Sequence, residues 1–157
     1  MGLLKPLIAK LELASNQLDR VAMNAIKDNE NYILLLVKEQ QLGKGLDSEG
    51  KNILHPKGNS SGTYQPATEN YWAKKNPKPR TSKRTGNKFD MEWTGATKDS
   101  MKVITARGGF DIDSSRKRAI EAIYGTKMFA LMEKHSKLIN EKIIEPAIYE
   151  HIFKAFG

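Results

Sequence analysis

The chain has 157 residues, 28% of them charged and 39% hydrophobic, with a net charge of +8 and no cysteine. That length and balance fit one domain with one core, and exclude disulfides, thiolate metal sites and cysteine nucleophiles. No apolar run approaches the ~20 residues of a membrane-spanning helix, and the polar interruptions from Lys10 onward do not suit a secretory signal.

The charge is localised. Residues 1–60 carry eight Lys/Arg against seven Asp/Glu, residues 61–90 seven against two, and residues 91–157 eleven against nine. Most of the basicity therefore sits in one middle segment, so an anionic partner meets a patch and not a general field.

In chain order, Leu4, Leu7, Leu11, Ala14, Leu18, Val21 and Ala25 recur at spacings of three and four, which predicts a helix over 3–28. Its stripe suits packing on the protein's own sheet or on a neighbouring subunit. Asn31 to Val37 is a continuous apolar run that reads as a buried strand after the polar break at Asp28 to Asn31, although periodicity does not separate strand from helix here. Gly43, Gly45, Asp47, Ser48 and Gly50 then predict a turn-rich loop.

From Lys51 to Lys88 the chain is poor in apolar residues, and 51–90 reads as a flexible basic arm or loop of the single 1–157 domain. Thr68 is placed to cap a short helix carrying Tyr71, Trp72 and Lys75. Lys74, Lys75, Lys78, Arg80, Lys83, Arg84 and Lys88 fall within fifteen residues without an acidic residue between them. Each can neutralise a phosphate, and Tyr71 and Trp72 can stack on bases. The same composition suits an arm that orders against an acidic protein surface, or a plain solvated loop.

Met101 to Arg107 and Phe110 to Asp113 alternate as an antiparallel pair, with Gly108-Gly109 at the tip supplying positive φ. From Thr126 a helical period runs through Met128, Leu131, Met132, His135, Leu138, Ile139, Ile143, Ala147, Ile148 and Ile152, and Pro146 should kink or split that helix. The fold class expected is α+β: a small antiparallel sheet covered by an N-terminal helix and a long, proline-kinked C-terminal helix, with an extended basic loop.

Chemistry is thinly represented. His55, His135 and His151 lack the one-turn spacing of a helical metal site and read as surface or half-buried structural residues. Asp111 and Asp113 share a strand face, and with Glu92 or Asp99 they recruit a divalent cation only in a metal-dependent nuclease reading. The simpler reading is a solvated face beside Arg116-Lys117-Arg118. Ser114-Ser115 suits a turn or cap, and neither glycine-rich stretch is a phosphate loop. No catalytic residue, metal ligand, cofactor or small-molecule substrate is expected.

One segment order carries a resemblance. A stretch from Glu39 to Lys51 precedes a tyrosine-bearing segment from Tyr64 to Lys75. Then come Thr94-Gly95 with Ser100 as a structural corner, a strand pair with Phe110, Tyr124-Gly125, and a closing helix with Glu145-Pro146. This order resembles the structural proteins of tailed-bacteriophage necks and tail completion, particularly those of crAss-like phages, over roughly residues 31–150. It departs from them at Ala96-Thr97, where a bulky apolar residue is usual, and in the length and basicity of the 76–88 arm. The resemblance implies a non-enzymatic virion subunit, present in the host cytoplasm during assembly, that forms a homo-oligomeric ring and meets other virion proteins, its basic arm facing either packaged DNA or an acidic adjacent ring. The alternative is a basic nucleic-acid-binding protein acting through the 74–88 arm.

Overall fold

The computed structural model describes residues 4–54 and 96–156. Helix α1 (Leu4–Asp28) ends where Asn29 turns its side chain back on the helix. Asn29 Nδ2 donates to the Ala25 carbonyl at 2.9 Å, beside its own backbone N–H at 3.2 Å. This local competition for one acceptor breaks the helix. The chain resumes at once as α2 (Glu30–Leu35), a π-helical turn (Leu36–Gln41) and a 3-10 turn (Leu42–Lys44).

The expected strand over 31–37 is therefore helical. Its burial explains both the misreading and the structure. Ile33 and Leu36 face one hydrophobic cluster with Ile26, Ile139 and Ile143. Leu34 and Val37 face another, with Leu42, Ile53, Met101, Ile112, Ile120, Met128 and Phe129. A helix buried on two sides has no polar stripe to reveal its period. Val103, Phe110 and Leu131 pack against both clusters, which makes them one core.

The expected turn-rich loop follows. Gly45 and Gly50 have φ of 69° and 74°. Asp47 Oδ1 accepts the N–H groups of Glu49 and Lys51, each at 2.9 Å, and Ile53 N donates to the Gly45 carbonyl. The side chain thus supplies the turn's acceptors, and the loop returns to bury Ile53.

A short helix α3 (Ala96–Asp99) leads into β1 (Lys102–Ala106) and β2 (Gly109–Asp113), paired antiparallel with Val103 opposite Ile112 and Thr105 opposite Phe110. These four residues turn inward, while Lys102, Ile104, Asp111 and Asp113 share the outer face. Of the two tip glycines, Gly108 takes positive φ, at 79°, and Gly109 does not; Gly109 is the first residue of β2, paired with Ala106. The two-residue turn is Arg107-Gly108, so the expectation for Gly109 is corrected.

Helix α4 (Lys117–Tyr124) and a 3-10 turn (Thr126–Met128) follow. The closing helix begins at Glu133, later than the expected Thr126, because the chain straightens to place Met128, Phe129 and Met132 in the core. It comprises α5 (Glu133–Ile139), a π-helical turn (Asn140–Ile144) and α6 (Glu145–Phe156). Pro146 neither splits nor stops it. The wide π turn precedes the proline and relieves the clash its ring would make with the carbonyl four residues back. Asn140 Nδ2 donates to Glu145 Oε1 at 2.6 Å across that turn.

The architecture is α+β: a two-stranded antiparallel sheet packed against α1 and the long C-terminal helix 133–156. Ala25 and Ile26 pack on Ile139, Ile143 and Ile144, and α6 continues along α1, so the two helices run antiparallel.

Candidate interaction surface

The residues expected to bind a partner or nucleic acid, Lys74, Lys75, Lys78, Arg80, Lys83, Arg84, Lys88, Tyr71 and Trp72, lie outside the described residues, as do Thr94 and Gly95. Of the expected corner, Ser100 is described. Its Oγ donates to the Ala96 carbonyl at 2.7 Å and accepts from the Ser115 backbone N–H and hydroxyl at 3.2 and 2.8 Å. Ser114 Oγ donates to the Thr97 carbonyl at 3.1 Å and accepts the Arg116 N–H at 3.2 Å. Each of the three hydroxyl protons has an acceptor, so the cluster is a fastening between α3 and the β2–α4 junction. Among the described residues, no base is hydrogen-bonded into it to activate a serine.

Asp111 and Asp113 do share the outer face of β2, but lysines engage them. Lys117 Nζ lies 2.5 Å from Asp111 Oδ2, and Lys102 Nζ 3.6 Å from Asp113 Oδ2. Among the described residues, no group of three or more His, Cys, Asp or Glu side chains could hold a metal ion. A shallow groove of about 380 Å³ runs between Gly109–Ile112 and the Phe129–Leu131 segment, with Ser136 at its side.

The sheet edges are closed by side chains. On β1, the Val103 N–H donates to Glu30 Oε1 at 2.7 Å. On β2, the Ile112 N–H donates to Asp111 Oδ1 at 2.9 Å, and its carbonyl accepts from Lys117 Nζ at 3.0 Å. Charged side chains on otherwise open edges oppose pairing with a further strand.

His135 is 2% exposed, a deeper position than expected for any of the histidines, and neither ring nitrogen has a hydrogen-bond partner among the described residues. Burial, with Lys134 and Lys44 nearby, lowers its pKa below the usual imidazole value. At the other extreme Glu49, between Lys127 and Lys51, has its pKa lowered to about 2 by those two ammonium groups. It ties the 45–53 loop to the 3-10 turn, where Ser48 N also donates to the Lys127 carbonyl.

Exposed large apolar residues stand, among other positions, on α6 and at the start of α1. On α6 the half-buried residues Ala147, Ile148, His151, Ile152 and Ala155 face α1. Tyr149 and Phe153 lie on the opposite side, 68% and 81% exposed, with Phe156 beside them. On α1 the predicted stripe is buried at Ala14 and half-buried from Leu18 to Ala25, but Leu7, Ile8 and Leu11 at its start are exposed. The later turns of the α1 stripe pack on the protein's own body, one of its two expected destinations, and its first turns are exposed. The α6 stripe was missed because Tyr149, Phe153 and Phe156 sit among apolar residues of the opposite face, and which face turns outward depends on the π turn upstream. Among the described residues, no helix is long and apolar enough to cross a membrane. No protein-family model, curated protein or solved structure matches the chain.

Proposed function

We propose that this protein is a non-enzymatic structural subunit of a tailed-phage virion, a neck, tail-completion or tail component that assembles with itself and with adjacent virion proteins. The observation that carries the assembly half of this reading is the pair of exposed apolar faces, Leu7-Ile8-Leu11 on α1 and Tyr149-Phe153-Phe156 on α6. Contiguous apolar surface of this kind on a small, otherwise charged chain marks a contact site. The virion half rests on the order of motifs from Glu39 to Pro146. An acting catalyst would need a convergent acid, base or nucleophile, and Asp111, Asp113, Ser100, Ser114 and Ser115 are instead engaged in fastenings.

The second reading, a basic nucleic-acid-binding protein, is favoured by the net charge of +5 over residues 61–90, from seven Lys/Arg and two Asp/Glu. It predicts duplex binding that weakens steeply with salt. Light scattering with negative-stain microscopy, at low and high salt and with and without duplex DNA, separates the two. Rings or defined oligomers without DNA support the structural subunit. A salt-sensitive complex formed by a monomer only on DNA supports the nucleic-acid reading.

A further inference from the structure

The two exposed apolar faces point in different directions. Tyr149, Phe153 and Phe156 follow each other at i, i+4 and i+7 on the side of α6 turned from α1. Leu7 and Leu11 belong to the α1 stripe whose later residues pack inward, and Ile8 adjoins them. One copy therefore cannot close its own two patches against each other.

Their charges differ in sign. The first turns of α1 carry Lys5 and Lys10 against Glu12, a net of +1, whereas α6 carries Glu145 and Glu150 against Lys154, a net of −1. Pairing α6 with α6, or α1 with α1, brings like net charge together; pairing α1 with α6 does not. An aromatic side chain offers roughly 200 Å², and these three are 68%, 81% and 39% exposed. With the three half-exposed aliphatics, the patches hold on the order of 600 Å² of apolar surface. A specific interface starts at about 1,200 Å² in total, somewhat over half of it apolar. The two patches joined approach that apolar share, as two copies of the aromatic patch also would, so the pairing is selected by charge and not by area.

We propose that copies of this chain join head to tail, the Leu7-Ile8-Leu11 face of α1 in one copy seated on the Tyr149-Phe153-Phe156 face of α6 in the next. The proposal rests on the self-assembly reading above and gives it a defined joint. Such a heterologous contact forms a ring when its rotation closes and a filament when it does not.

The test uses the full chain with Leu11→Glu and Phe153→Glu, both at exposed positions, with far-UV circular dichroism to verify folding; Ile8→Glu and Tyr149→Glu replace either variant that fails to fold. Light scattering is expected to show an oligomer for the parent protein, a monomer for each variant, and a 1:1 heterodimer when the variants are mixed, since the mixture retains one intact α1 face and one intact α6 face. Variants that keep the parent's size overturn this joint and leave self-assembly standing. Monomeric variants that fail to pair on mixing overturn the head-to-tail geometry in favour of a two-fold contact. A parent protein that is monomeric at high concentration overturns the joint and the self-assembly reading together.

Discussion

The Lys117 ammonium lies 2.5 Å from the Asp111 carboxylate and 5.8 Å from the centroid of the buried Phe129 ring, with the Ile112 carbonyl at 3.0 Å. One side chain thereby closes the outer edge of β2 and covers part of the core beneath it. The partners are unequally exposed: the Lys117 side chain is 18% accessible and that of Asp111 67%.

Removing the lysine should accordingly cost more than removing the aspartate. Lys117→Met keeps the aliphatic stem but strands the Ile112 carbonyl, and is expected to destabilise by about 1–2 kcal/mol. Asp111→Asn, at an exposed ion pair, should cost no more than about 1 kcal/mol. Urea denaturation of both variants and the double variant measures the two costs and their coupling; an aspartate cost equal to or above the lysine cost would refute this ordering.

Glu30 makes a similar closure on β1, where it accepts the Val103 N–H at 2.7 Å. Glu30→Ala leaves that donor unsatisfied and is expected to cost about 1–3 kcal/mol. Glu30→Gln keeps a carbonyl acceptor and should cost less. Hydrogen exchange at the Val103 amide checks the mechanism, being faster in Glu30→Ala and near the parent rate in Glu30→Gln.

His135 should make stability depend on pH. Its folded pKa is lowered by burial and by Lys134 and Lys44. The unfolded chain therefore takes up a proton more readily than the folded one, so stability is full above the ordinary imidazole pKa of about 6.5 and falls as pH drops toward the lower folded value. His135→Leu removes the proton site and the two unpartnered nitrogens. It is expected to stabilise at neutral pH by about 1 kcal/mol and to flatten the fall between neutrality and pH ~5. Urea midpoints across that range provide the measurement; an unchanged slope would show that His135 is not the group responsible.

The hairpin tip separates its two glycines. Gly108 has φ of 79°, so Gly108→Ala should destabilise by about 1 kcal/mol through backbone strain. Gly109 lies in β2, and nothing lies within 4 Å of an added Cβ. Gly109→Ala should be neutral or slightly stabilising by thermal melting, and a loss equal to that of Gly108→Ala would place the strained position elsewhere.

Where one side of an element meets water, the sequence was readable. The α1 stripe, the strand pair and its alternation, and the Gly45 to Gly50 loop all show a period or a turn chemistry that the structure uses. Segment 33–37 was not, because Ile33, Leu34, Leu36 and Val37 are all buried and no polar residue marks a face. The start of the closing helix at Glu133 was equally hidden, since tertiary burial of Phe129 and Met132 outweighs a local helical period. In the candidate surface, the apolar start of α1 could be seen in the sequence. The α6 stripe could not, because its exposure is set by a wider turn several residues earlier. Ser100 was singled out for its neighbourhood, but Ser114 and Ser115 lie fourteen and fifteen residues on, and only the fold brings their hydroxyls to it.

The π turn at Asn140–Ile144 is, in phase terms, a one-residue delay. Carried on at about 100° per residue, the buried line of His135, Ile139 and Ile143 would continue through Pro146 and Tyr149 to Phe153. The delay rotates that line outward and brings Ala147, Ile148, His151 and Ile152 round to α1 in its place. A single-residue deletion within 140–144 would reset the helix, swing the aromatic rings against α1 and expose the isoleucines, so the character of this outer face is written in the length of the chain before it as much as in the residues upon it.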